Sequence, residues 1–409
     1  MSLLSSGSNA QGQLGNGSLE DAHTFQPCSF LDQAEHRLPS GALEVLDVAT
    51  GANHTLVLLR MQDHSTELWG CGDGRKGQLG LRYQQEIQSG ENSGLFRKIR
   101  LQLKDSGIEG YQYKLIASTW ETSFVALSRE GSSDVLLSFG SDDYGDLGIG
   151  GLKKGAPPKD HYRVQLIQEE NVMIDAVFTG QRQIIAKVHT PSSSYLLGWG
   201  ASRHGQLGEQ SNIPFLSQPR VISTQNILSC SLGIQHTILM HTSSHLSPLG
   251  SNRKGQLEVA QKWTKNNGAI KAIGCTWNGS YIISENSGFW EIHSSGSNAH
   301  SQLGWRSKSD SDQTICGVVQ FSQSLPTSDT NIELICGSEH ILVFLSPSSC
   351  ATEVWGWGWN EHGNLGLGHT KDVATPTKIW PQFAEGNSGS AAKIWAGMGT
   401  SWIFLKEET

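Results

Sequence analysis

Short apolar runs recur along this chain, each entered through a turn and a small polar pair. This entry turn reads GANHTLVLL from Gly51, TWETSFVAL from Thr119, GQRQIIAKV from Gly180 and GIQHTILM from Gly233. It continues as TWNGSYII from Thr276, GSEHILVFL from Gly337 and GMGTSWIFL from Gly397. Apolar runs of that length without alternation predict strands buried on both faces. A second pattern, a glycine loop, falls between the first. It reads GSNAQGQLG from Gly7, GDGRKGQLG from Gly72, GSDDYGDLG from Gly140 and GASRHGQLG from Gly200, then GSNRKGQLE from Gly250, GSNAHSQLG from Gly296 and GWNEHGNLG from Gly358. Its leading glycine often follows an apolar or aromatic stretch, as at Leu68-Trp69 and at Leu197 to Trp199. That predicts a strand ending where the backbone needs free choice. Polar residues and a second glycine then make a tight turn, and the leucine points back into apolar packing.

Seven copies of each pattern in strict alternation, with the glycine loops 46 to 68 residues apart, mark a solenoid or a propeller. One unit cannot bury its own apolar face and must stack on its neighbours. Each unit offers about four strands, as a propeller blade requires. The chain opens with MSLLSS directly before Gly7, and Gly397 to Leu405 supplies at the other end the entry turn that this first unit lacks. The two half-repeats are complementary. The expectation is therefore an all-β, seven-bladed β-propeller, a single domain over residues 1–409, closed by pairing of its N- and C-terminal half-repeats. An open solenoid would leave a frayed unit at each end.

The motifs carry a resemblance. Glycine loops alternating with Gly-x-x-His-Thr turns resemble the regulator-of-chromosome-condensation repeat along the whole chain, and that family implies the same seven-bladed propeller. Kelch and tryptophan–aspartate propellers fit poorly, because the chain has no Trp-Asp dipeptide and a single Gly-Gly, at 150–151.

Composition narrows the function. The 47 glycines of 409 residues are accounted for by the repeated turns. The net charge of −8 argues against DNA as a direct partner, since a nucleic-acid surface needs a basic stripe. Lys153-Lys154, Arg75-Lys76 and Arg253-Lys254 read as separate solvated pairs. No basic-then-apolar leader and no apolar run of about 18 residues is present, so no membrane contact is expected. Seven cysteines beside apolar strand residues suit reduced thiols in the cytosol or nucleus. There is no Gly-Lys dipeptide and no Cys-x-x-Cys pair. No enzyme activity, cofactor or metal is expected. His54, His236 and His340 share one repeat position, and His204, His300 and His362 another, which reads as turn imidazoles bonded to backbone.

Candidate function lies in what departs from the repeat. The second and third residues of the entry turns should form rings near one rim. There Trp120, Ile234, Trp277 and Met398 are apolar where turn chemistry asks for small or polar groups, and Glu121, Arg182, Asn278 and Glu339 supply polar surroundings. These eight residues are the expected partner-binding site. The bland alternative is that the two tryptophans plug gaps between blades. A fallback site, around Asn9, Arg75, Asp142, Arg203, Arg253 and Asn360, is expected on the opposite rim. Within the family the chain is most similar to the compact fungal type, the α-tubulin suppressor or killer-toxin-insensitivity protein, in having Trp120-Glu121 and Trp277-Asn278 where His-Thr repeats stand. That resemblance implies a heterodimer of a monomeric propeller with a small acidic zinc-binding electron carrier. Such a pair supports Elongator-dependent modification of tRNA wobble uridines and diphthamide synthesis. The family's founding member implies a different role, nucleotide exchange on a Ran-like or other small GTPase through a projecting β-wedge. The connectors at 81–112 and 149–172 are long enough for a wedge but show no clear strand–turn–strand pattern. A ubiquitin-ligase or demethylase adaptor would rest on fold analogy alone.

Overall fold

A computed structural model describes residues 1–34, 36–88, 94–152, 159–208, 213–224, 226–305, 316–348, 351–381 and 390–406. Its strands form seven antiparallel sheets. Blade 1 is built from both ends of the chain, in the order Ala22–Pro27, Ser2–Gly7, Thr400–Lys406, Ser390–Ala396. Blade 2 holds Ala42–Thr50, His54–Met61, Thr66–Gly72 and Arg97–Lys98; blade 3 holds Gln112–Ser118, Thr122–Ser128, Val135–Gly140 and Tyr162–Arg163. Blade 4 holds Met173–Thr179, Gln183–His189, Ser194–Ala201 and Phe215–Ser223, and blade 5 only Ile227–Leu232, His236–His241 and Leu246–Gly250. Blade 6 holds Ala269–Cys275, Gly279–Asn286, Phe289–Gly296 and Cys316–Val318; blade 7 holds Thr330–Cys336, His340–Pro347, Glu353–Gly358 and Val373–Trp380.

The expected closure is present. Ser2–Gly7 pairs antiparallel with Thr400–Lys406 from Ser2 opposite Leu405 to Gly7 opposite Thr400. The expectation of four strands per unit fails in blade 5, where the short helix Glu258–Gln261 packs against Leu246–Gly250. The unalternating runs are the second strands of the blades. Leu56 to Leu59, Phe124 to Leu127, Ile184 to Ala186 and Ile341 to Val343 are all essentially buried, because a neighbouring sheet covers each of their faces. Trp199, Trp357, Trp380 and Trp402 are fully buried within these clusters.

The glycine loop and the entry turn meet in every blade. The backbone N–H of the loop's second residue donates to the carbonyl of the turn's third residue: Ser8 to Gly399, Asp73 to Asn53, Ser141 to Glu121, Ala201 to Arg182, Ser251 to Gln235, Ser297 to Asn278 and Trp359 to Glu339, at 2.7–3.0 Å. The leading glycine has φ between +88° and +123° in all seven copies, and a Cβ there would collide with that same carbonyl. The fallback site is thereby corrected: Arg75, Arg203, Arg253 and their equivalents lie outside the entry turns but on the same rim. Third strands end on the face where first strands end, so both motifs face one way.

Histidine joins blade to blade. His54, His236 and His340 place Nε2 3.0–3.1 Å from the Ser123, Ser280 and Ser401 hydroxyls of the next sheet. The serine side chain is a partner the sequence reading did not name, and at His236 and His340 the backbone of Gly279 and Thr400 also contributes. Each ring fills the space beside Gly51, Gly233 or Gly337, where a Cβ would strike the imidazole and, at 2.7 Å, a carbonyl of the next entry turn. In blade 4, Gln183 takes the same place and donates to the Gly233 carbonyl.

Two outcomes test this architecture. Deleting residues 2–15 removes the strand that seals blade 1, so the cooperative melting transition should disappear. A truncated chain melting within a few degrees of the full one would refute closure. Burial pushes each of His54, His236 and His340 down to about 4. The unfolded chain therefore takes up protons that the fold refuses. The stability these rings contribute is complete above about pH 6.5 and is lost as pH falls towards 4. The combined H54Q, H236Q and H340Q variant, which copies the solution found at Gln183, should show a smaller drop in Tm between pH 7.5 and pH 5 than the parent.

Candidate functional site

The entry turns trade size between positions. Where the fourth residue is His54, Gln183, His236 or His340, the first is Gly51, Gly180, Gly233 or Gly337. At Thr122 and Gly279 the fourth is small and the first is Thr119 or Thr276, and these are the two turns that carry tryptophan second; the seventh turn, Gly397 with Thr400, is small at both positions. Backbone hydrogen bonds tie successive turns together around the ring axis. Ala52 donates to Trp120, Trp120 to Gln181, Ile234 to Trp277, Trp277 to Ser338 and Ser338 to Gly397, at 2.7–3.1 Å.

Trp120 of blade 3 and Trp277 of blade 6 reach across that ring and meet. Their ring centroids are 6.0 Å apart with an interplanar angle of 38°. Below them runs the central channel, about 380 Å³, walled by the first strands of all seven blades and by Gln181, Trp277 and Met398 near its mouth. Both indoles are half-buried. Trp277 lines the channel mouth and Trp120 meets it there, whereas Trp199, Trp357, Trp380 and Trp402 are the fully buried tryptophans.

The polar expectations assemble into two groups. The Arg182 guanidinium lies 5.9 Å from the Trp120 ring and 4.7 Å from the Tyr144 ring, with ion pairs at 3.9 Å to Glu121 and 4.0 Å to Asp146. On the far side, Glu339 accepts from the Asn278 and Gln302 side-chain amides, each at 2.7 Å. Burial raises the Glu339 pKa, and these two amides oppose the rise. Ile234 and Met398 are half-buried on the same rim, Met398 at the channel wall, so all eight expected residues share one face.

Asp146 stands where other glycine loops carry Gln or, at Asn364, Asn. Its Oδ2 accepts the Tyr144 N–H at 3.1 Å, as Gln78, Gln206 and Gln256 accept from Lys76, His204 and Lys254. Its Oδ1, where those residues carry an amide N–H₂, is buried and unbonded. Burial raises the carboxyl to about 7 against the opposing pull of the Tyr144 N–H and Arg182.

Sequence reasoning passed over three surface aromatics. Tyr144 is 43% exposed, and Phe215, 40% exposed, packs beside Gly145 at the edge of blade 4. Trp359 occupies the loop's second position, which is small at Ser8, Ser141, Ala201, Ser251 and Ser297. Aligning that position alone would have found it. The wedge finds no counterpart among the described residues. The connector after Gly80 forms a helix, Leu81–Gln88, a short strand and a 3-10 turn; the one after Gly148 contributes the two-residue strand Tyr162–Arg163. The turn-rich tip at 88–94 falls largely, and Lys153-Lys154 wholly, outside the described residues. No cluster of His, Cys, Asp or Glu among the described residues could hold a metal.

Comparisons with known proteins agree with this architecture. The family described as "Regulator of chromosome condensation (RCC1) repeat" matches residues 2–58 and 353–401. An RCC1 repeat-containing protein of Schizosaccharomyces pombe is 24% identical, over 99% of this chain and 99% of that one. The mouse secretion-regulating guanine nucleotide exchange factor is 27% identical over 92% of this chain and 78% of its own length. The crystal structure of Prp20p from Saccharomyces cerevisiae, described with its binding properties to Gsp1p and histones, superposes with a TM-score of 0.74 at 18% identity, covering 100% of this chain and 92% of that one. The last likeness establishes the fold.

The buried carboxyl gives a test. Because the Asp146 pKa is raised in the fold, its unfavourable contribution is absent below about pH 4 and grows to full size above about pH 7. Asp146→Asn should raise stability at pH 8, by on the order of 2–4 kcal/mol, and by progressively less as the pH approaches 4. Chemical denaturation at both pH values reads the difference.

Proposed function

We propose, for a seven-bladed propeller whose residues 2–58 and 353–401 match the RCC1 repeat, a non-enzymatic protein-interaction module whose partner docks over Trp120 and Trp277. The observation that carries this reading is the meeting of two half-buried tryptophans over the channel mouth, flanked by Arg182, Glu121, Asn278 and Glu339. Interface centres favour aromatic and arginine anchors surrounded by polar groups. The partner we assign is the small acidic zinc-binding protein of the Elongator and diphthamide pathways, with the metal held by the partner. Its acidity suits Arg203, Arg253 and Lys254, which blades 4 and 5 expose on the same rim.

A second reading, exchange on a small GTPase, is favoured by the mouse relative's name and by the description of Prp20p with Gsp1p. Against it stands the lack of a projecting hairpin in the described parts of the two long connectors. Release of labelled GDP from a Ran-like GTPase, measured with and without the chain, separates the readings: acceleration supports exchange, and no change with tight binding of the zinc protein supports the first.

The double variant Trp120→Ala with Trp277→Ala should weaken partner binding by about thirtyfold, or ~2 kcal/mol. Its Tm should stay within a few degrees of the parent, because both indoles are only half-buried at the channel mouth. Unchanged affinity by calorimetry would remove these residues from the site.

A further inference from the structure

Trp359 lies on the partner-facing rim at the junction of blades 7 and 1. The six-membered part of its indole rests 3.3 Å from where a Cβ of Gly399 would stand. Gly399 is the one entry-turn third position without a side chain, against Asn53, Glu121, Arg182, Gln235, Asn278 and Glu339. No side chain at Gly399 therefore stands between the ring and the backbone of that turn. His362 stands edge-on at 5.3 Å and His300 at 6.1 Å, as two walls.

Carboxylates surround this platform. Glu361 accepts the Trp359 Nε1–H at 3.3 Å and is exposed. Asp21 uses Oδ1 for the Asn9 N–H and pairs Oδ2 with His362 Nδ1 at 2.7 Å. Asp372 repeats the arrangement one blade earlier, with the Asn360 N–H and His300 Nδ1. Each aspartate thus holds a wall in place and adds negative charge beside the ring.

The same face shows what such a constellation accepts. At Trp120, a half-buried indole flanked by Glu121 and Asp146 is met by the guanidinium of Arg182. At Trp359 the indole and its carboxylates are present, and among the described residues no cationic side chain lies over the ring. We infer that Trp359, walled by His300 and His362 and ringed by Glu361, Asp21 and Asp372, is a recognition site for an arginine side chain presented by a partner. The ring quadrupole attracts the cation, and the guanidinium plane stacks on the indole. This rests on the docking reading only in taking this rim as the partner's face.

The test needs no identified partner. Blocked Gly-Gly-Arg-Gly-Gly peptide is titrated into the full chain, with its lysine and citrulline counterparts, at constant ionic strength. Indole N–H resonances are followed by NMR, and Trp359→Phe assigns the signal. The arginine peptide should shift the Trp359 resonance saturably with a Kd in the millimolar range, the lysine peptide less, and neutral citrulline at least tenfold more weakly. Glu361→Gln should weaken the arginine response at least threefold. The Trp120 resonance should hold still, since Arg182 already serves that ring. The inference is overturned by no saturable shift, by citrulline matching arginine, by an equal response at Trp120, or by an E361Q variant that binds as tightly as the parent. Trp120→Ala with Trp277→Ala leaves Trp359 untouched, so loss of partner docking in that variant with an intact peptide response keeps the two readings separable.

Discussion

One backbone hydrogen bond, made seven times, organises this molecule. The amide after each leading glycine reaches the third carbonyl of the entry turn in its own sheet, and only a residue without Cβ, at positive φ, lets the two backbones close to that distance. The bond fastens the end of the third strand to the corner between the first and second. With that corner fixed, the second and third positions of the entry turn and the second position of the loop take different residues from blade to blade. The fold therefore confines its variable chemistry to one rim, where Trp120, Arg182, Trp277 and Trp359 all stand.

Much of this was legible in the chain. Unalternating runs marked the doubly covered strands, and complementary half-repeats marked the closing blade. The error about the two rims was avoidable in principle. In an antiparallel meander the third strand ends where the first one ends, so a motif after strand one and a motif after strand three must share a face. What no repeat pattern could supply was distance across the ring. Trp120 and Trp277 sit three blades apart in sequence order, and their meeting over the axis depends on the diameter of a seven-bladed ring. The missing strand of blade 5 left one trace in the chain: its glycine loop ends in Glu258 where the other six end in glycine, and the helix Glu258–Gln261 begins at that residue.

The histidine positions show how a repeat can hide two kinds of residue under one letter. His54, His236 and His340 are internal fasteners, neutral because burial leaves no room for charge. His300 and His362 stand at the rim against aspartates of the following blades, where they frame an aromatic surface. Position within the motif, and not residue type, separates structure from surface chemistry here.

The seam in blade 1 also has a mechanical meaning. Ser2 lies opposite Leu405, and Gly7 opposite Thr400, so the two outermost residues of the pair sit together at one end of the ladder. A force pulling residues 2 and 406 apart would load these bonds one after another, as a zipper, and never in parallel. Heating must disrupt the whole ring to separate the same strands, whereas traction need break only one bond at a time. A ring expected to melt as one unit is thus built to peel open under tension at a single place.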